Sequence, residues 1–307
     1  MQPLRGILLK LCSVTMFIIM ASLIKAASSH VPAGEAVFFR SVFALPVILG
    51  WLAVRGDLRT GLKVASPMGH FWRGFVGTAA MAMGFAGLGL LPLPEVTAIG
   101  YAAPLLTVIL AAMFLGEQVR LFRLAAVALG MLGVLIVLGP RLSAFTNDTV
   151  EKTAALGALL VLMSALCAAI AQIYIRKLVA AEQTAAIVFY FSVTSTVLAL
   201  LTLPFGWVVP TGQEALLLIL AGLLGGMGQI FLTSAYRFAP ASVVAPFDYA
   251  SIIFAIMIGF VFFDEVPDLR TLAGAGLVIL AGIIIIFREH QLGLERGRAR
   301  KGMTPQG

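Results

Sequence analysis

The chain is poor in charge, histidine and cysteine. Only 11% of its 307 residues are Asp, Glu, Lys or Arg, against about 25% in a soluble domain, so it lacks the polar surface needed to face water. Its three histidines, His30, His70 and His290, fall at loops or at the ends of apolar runs. None pairs with another group at metal-ligand or acid-base spacing, which argues against an enzyme and against a bound metal or cofactor. Cys12 and Cys167 stand alone within apolar runs, and a disulfide framework is excluded. No polar, basic domain of the kind that binds nucleic acid is present. Gly222 to Gly228 looks superficially like a phosphate loop but lacks the following Lys-Ser/Thr. Gly222 and Gly226, four residues apart, instead suit close approach of a neighbouring helix.

What the chain has in excess is apolar length: 61% of its residues are hydrophobic and the mean hydropathy is +1.04. Runs of about 20 apolar residues are long enough to span a bilayer. Ten are bounded by charge, Pro or Gly, at 6–26, 35–54, 70–90, 95–114, 121–139, 153–174, 184–204, 214–236, 241–263 and 269–287. The expected fold is an all-α membrane protein of ten transmembrane helices. Leu91 to Pro94 and Arg237 to Pro240 read as tight turns, because proline interrupts a continuous helix. The first run has Lys10 before it and Ala26-Ala27-Ser28 after it, as a secretory leader would. Lys25 lies just before that supposed cut, and its removal would break the repeat described next, so the run reads as a span.

With the N-terminus in the cytoplasm, sixteen of the 21 basic residues fall inside, including Lys10, Arg73, Arg120 and the cluster from Arg288 to Lys301. Only Lys25, Arg141, Lys152 and Arg270 fall outside, and Arg40 lies within the second span. This asymmetry places both termini in the cytoplasm and makes the basic tail, residues 288–307, an orientation signal against anionic lipid. Sliding the chain by 148 residues pairs Gly74 with Gly222, Pro92 with Pro240, Tyr101 with Tyr249, Phe114 with Phe262 and Glu117 with Glu265. The two copies, 5–139 and 153–287, hold five spans each. An odd number inverts the second copy relative to the first, the construction usual in secondary transporters.

Glu35-Ala-Val-Phe-Phe-Arg40, Pro104 with Ala111 to Glu117, and Ala235-Tyr236 through Ala245-Pro246 to Phe263-Asp264-Glu265 resemble the paired modules of the drug/metabolite transporter superfamily, EamA type. The resemblance covers residues 5 to 287 and implies a ten-helix bundle around a central substrate cavity, without an ATPase. Gly69-His70-Phe71-Trp72-Arg73-Gly74 and Ala245-Pro246-Phe247-Asp248-Tyr249 are most similar to the branch of bacterial riboflavin and S-adenosylmethionine uptake carriers. The implied function is alternating-access transport of a small organic metabolite across the inner membrane, with riboflavin uptake first. S-adenosylmethionine uptake and amino-acid or drug efflux on the same fold are alternatives, and a non-transporting receptor or scaffold is the alternative of another class.

The candidate site residues are polar or aromatic groups at span depth. Asp248 lies about 10 Å inside its span, where a charge costs about 2.5 to 3.5 kcal/mol on insertion scales. It is a candidate for the substrate or proton path, with an internal ion pair as the rival reading. Glu95 is the second proton-coupling candidate, although an acid beside Pro94 also suits a helix N-terminus. Arg40 could hold an anionic group or snorkel to water. Tyr101 and Tyr249, related by the repeat, could form two aromatic walls for a planar solute. Gln229, Trp72 and Tyr190 complete the set, and membrane lipid is the other expected contact. Oligomeric state is not legible, because glycine-rich faces pack within one chain as well as between chains.

Overall fold

The computed structural model describes residues 3–58, 60–115, 121–143, 149–179, 181–238 and 245–302. Glu117, Arg120 and Pro240, used in the charge count and the repeat, lie outside them. The described residues form twelve α-helices and no strand. They are α1 (Pro3–Ala27), α2 (Ala33–Val42), α3 (Ala44–Val54), α4 (Pro67–Leu90), α5 (Leu93–Gly100), α6 (Ala102–Leu115), α7 (Leu121–Ser143), α8 (Thr149–Val179), α9 (Thr184–Leu200), α10 (Gly212–Phe238), α11 (Ala250–Phe263) and α12 (Leu269–Gly302). A 3-10 turn, Ala245–Tyr249, leads into α11. Six stretches among the described residues are long and apolar enough to cross a bilayer: Leu4–Ala27, Ala33–Val54, Leu93–Leu110, Leu124–Arg141, Lys152–Val179 and Gly212–Phe238. Thr184–Leu200, Phe247–Phe263 and Leu269–Ile284 are shorter apolar helices. Large apolar side chains such as Leu135, Val197, Phe260 and Phe262 point outward, as suits a chain whose solvent is hydrocarbon.

Two of the apolar runs are broken. A proline has no N–H and its ring clashes with the carbonyl four residues earlier. Pro46 and Pro104 aim that clash at Val42 and Gly100, and these are the last residues of α2 and α5. Phe43 and Tyr101 form the joints, and a third joint falls at Tyr249 where the 3-10 turn meets α11. The two tyrosines, 148 residues apart, thus occupy the same kind of position.

Packing interleaves the early and late parts of the chain: α1 runs along α10, α4 along α8 and α7 along α12. At the α2–α3 joint the approach to α10 is close. A Cβ added to Gly222 would stand 2.5 Å from Phe43 Cβ, and one on Gly226 would stand 3.0 Å from Ala44 Cα, so these glycines are packing residues, as their spacing suggests.

Polar contacts gather the loops into two groups. In one, His30 meets Glu214, Glu35 accepts from Val208 N–H, and Glu265 accepts from Leu93 N–H. Lys25 bridges to Glu265 at 2.9 Å and donates to the Leu88 and Leu91 carbonyls, and Arg141 holds Glu95 at 2.6 and 3.0 Å. In the other, Glu182 accepts from Ala65 and Ser66 N–H, Arg237 donates to the Glu182 carbonyl, and Tyr190 donates to the Leu62 carbonyl. Each group joins segments that an up-and-down alternation brings to one end. Two side chains depart from the charge count: Lys10 and Arg73, assigned to the cytoplasmic surface, are 2% and 4% exposed within the bundle.

Candidate substrate cavity

A cavity of about 340 Å³ lies between α1, α2, α4, α5, α8, α9 and α10, at the small end of ligand-binding volumes. Most of its wall is apolar, with Phe17, Met20 and Phe85 among the lining residues. The polar groups are few: Arg40, Arg73, Thr97, Ser164, Gln172 and Gln229. No Asp or Glu lines it among the described residues.

The sequence puts Arg40 here through the break at Phe43. Ending α2 at Val42 leaves Arg40 in its last turn, where free carbonyls favour a cation. Gly225 on α10 faces it without a side chain, so that an added Cβ would stand 2.9 Å from Arg40 Nε. The Gly225 carbonyl accepts a long bond of 3.4 Å from Nη2. Arg73 enters from α4, one turn before Gly77, whose missing side chain leaves room for its guanidinium. Both cations address one ring of α9: the Phe191 centroid is 3.7 Å from Arg73 Cζ and 5.3 Å from Arg40 Cζ.

This arrangement is electrostatically unbalanced. The Nε and Nη1 atoms of both arginines are buried with no hydrogen-bond partner among the described residues, and neither side chain meets a carboxylate. Two guanidinium carbons within those distances of one centroid are at most about 9 Å apart. At an effective dielectric of about 20 their repulsion is about 2 kcal/mol or more. The cation-π contacts return about 0.5 to 2 kcal/mol each but leave the donors empty.

Of the candidates named from sequence, Arg40 and Gln229 reach the cavity and the others do not. Asp248 is paired with buried Lys10 at 2.7 Å, the ion-pair reading. Glu95 is held by Arg141. Tyr101 and Tyr249 do not wall a void, because their rings meet edge to face at 5.1 Å within a packed core that includes Ile99, Leu105 and Val278. Trp72 is 42% exposed among Phe71 and Phe75. Tyr190 packs on His70 with ring centroids 5.2 Å apart. Sequence reading missed Arg73, Phe191, Ser164 and Gln172. Only Arg73 carried a signal, a cation at the edge of an apolar run, and Trp72 beside it suggested the interfacial belt instead.

Comparison with known proteins agrees with this architecture. The chain is similar to pseudopaline exporter CntI of Pseudomonas aeruginosa, at 33% identity over 281 residues, 91% of this chain and 95% of that one. It is 28% identical to the S-adenosylmethionine uptake transporter of Rickettsia felis over 84% of each chain. A solved crystal structure superposes with a TM-score of 0.68 over 94% of this chain and 98% of that one, at 20% identity, a likeness of fold. The EamA-like transporter family model matches twice, at residues 4–139 and 155–288. Those two matches take in every residue that lines the cavity, and the chain belongs to the EamA-like transporter family.

Proposed function

We propose that the protein is a carrier, not an enzyme, which moves a small organic metabolite across the bacterial inner membrane by alternating access through the central cavity. The observation that carries this reading is the origin of the walls. Helices α1, α2, α4 and α5 come from the first matched segment and α8, α9 and α10 from the second, so relative movement of these elements would open the void to one side or the other. The reading takes the chain as ten spans in two inverted five-span units, 5–139 and 153–287, with both termini and the 288–307 tail in the cytoplasm. The paired joints at Tyr101 and Tyr249 and the sorting of loop contacts to two ends support it.

The cargo follows less directly. The relatives named above export pseudopaline and take up S-adenosylmethionine; neither is a riboflavin carrier, and the two tyrosines expected to stack a flavin are spent on each other. Riboflavin is therefore the weakest of the three probes. The test is flux in proteoliposomes of the purified protein, with radiolabelled S-adenosylmethionine, pseudopaline or riboflavin on one side. Saturable movement of one of these, abolished by a bulky Gly77→Trp substitution in the wall, is the expected result. No protein-dependent flux of any solute in either direction would overturn the carrier reading.

A further inference from the structure

We infer that the cavity is built for a small organic diacid, gripped by Arg40 and Arg73 beside the Phe191 ring. This rests on the carrier reading above and adds the chemical class of the cargo. Both guanidinium groups are buried at 2% and 4% exposure, and an arginine stays charged at any physiological pH. Elsewhere in the bundle buried and half-buried cations have acids: Lys10 has Asp248 and Lys25 has Glu265. Arg40 and Arg73 have none among the described residues, and those that line their cavity include no carboxylate. Two permanent charges facing a void without counter-charge are a binding site for the charge that is missing.

The geometry narrows the class. The two cations approach one phenyl ring from α2 and α4, so they can meet two separate acidic groups, each guanidinium offering the planar donors that a carboxylate accepts from. A single carboxylate neutralises one charge; a molecule with two neutralises both. Gln172, Gln229 and Thr97 supply neutral hydrogen bonds for the remainder of the ligand. The apolar wall of Met20, Phe85 and Phe191 suits a carbon backbone between the acidic ends.

The experiment uses the full-length protein in detergent micelles, titrated with the dicarboxylate series from malonate to pimelate, the matching diamides and inorganic phosphate. Binding is followed by calorimetry and melting. Diacids of one chain length should bind best and raise Tm, whereas the uncharged diamides should do neither. Arg40→Gln and Arg73→Gln should each weaken diacid binding at least tenfold, and the double substitution should abolish it. Arg40→Lys and Arg73→Lys should retain part of it, since charge survives while the planar fork is lost. Because an unpaired buried charge is a burden on the empty protein, Arg73→Gln without ligand should melt higher than wild type, a result that a merely structural arginine would not give. Diamides that bind as well as diacids, phosphate binding alone, or wild-type affinity in both Gln variants would overturn the inference. Flux separates this from the carrier reading. Arginine-independent transport of S-adenosylmethionine would keep the carrier and remove the diacid site, whereas diacid binding without flux of any solute would do the reverse.

Discussion

Lys10 on α1 grips Asp248 in the 3-10 turn before α11: Nζ stands 2.7 Å from Oδ1, with the lysine side chain 3% exposed and the aspartate 35%. The charge buried deeper belongs to the lysine, so losing the aspartate strands a cation inside the bundle. Breaking a fully buried pair costs about 3 to 5 kcal/mol, and the exposure of Asp248 reduces this to about 1 to 3 kcal/mol through solvent screening. Asp248→Asn should therefore melt measurably lower than wild type in detergent, and Lys10→Met with Asp248→Asn should recover most of the loss. An Asn variant with unchanged melting and lost transport would instead make Asp248 a group of the transport path.

The Tyr101 and Tyr249 joint predicts two unequal effects. Tyr101 hydroxyl shares a 2.7 Å bond with Ser251 Oγ, which also donates to the Asp248 carbonyl at 2.7 Å. Tyr101→Phe leaves that second bond intact and should cost about 1 kcal/mol. Gly282 on α12 faces the Tyr249 ring so closely that an added Cβ would collide with it, while the edge contact with Tyr101 blocks the ring from swinging away. Gly282→Ala should cost about 1 to 3 kcal/mol by overpacking, and pairing it with Tyr249→Leu should relieve the collision. Melting of the three variants checks both statements.

Glu182, in the turn between α8 and α9, makes the acid limb of stability specific. Burial pushes its carboxyl up, but the Ser66 and Ala65 N–H donors and neighbouring His70 outweigh burial and hold it below the ordinary range. A depressed folded pKa means that the contribution is complete above the unfolded value and is lost as pH falls through the folded one. Wild-type Tm should therefore fall as pH drops below about 4.5, the ordinary carboxylate range. Glu182→Gln should begin lower and lose less over the same interval. Parallel curves for the two proteins would remove Glu182 from the acid transition.

Asp264, just after α11, has φ 54 and ψ 28, the one positive φ on a non-glycine residue among the described residues. Left-handed geometry costs an L-residue about 1 to 2 kcal/mol, least for Asp and Asn. Asp264→Val should cost stability in that range and so melt lower, whereas Asp264→Gly should match or exceed wild type. Equal loss in both would point to the side chain and not to the backbone.

The apolar runs were legible because hydrocarbon demands about 20 residues of one character whatever the neighbours do. The joints were legible in principle: Pro46 and Pro104 each stand four residues past a helix end, a local steric rule that needs no tertiary information. Arg73 and Lys10 were not, since a cation near the end of an apolar run is equally compatible with the interface and with the interior. Only the arrangement of α4 against α8 and α9, and of α1 against α10 and α11, decides between them. Gln172 and Phe191 give no signal at all, because one polar or aromatic residue in a span faces a cavity, a neighbour or lipid without any change in the local pattern.

The two lysines of α1 also constrain how the molecule can move. Lys10 and Lys25 are fifteen residues apart, about 22 Å of helix, and both reach acids that flank α11, Asp248 before it and Glu265 after it. A helix pinned to one neighbour at both ends behaves mechanically as a single strut with it. Yet α1 belongs to the first matched segment and α11 to the second. Rocking one sequence half rigidly against the other would have to tear both pins at once, in surroundings where each severed charge is costly. Any transport motion that spares both pins therefore carries α1 and α11 together, although the two helices come from different matched segments.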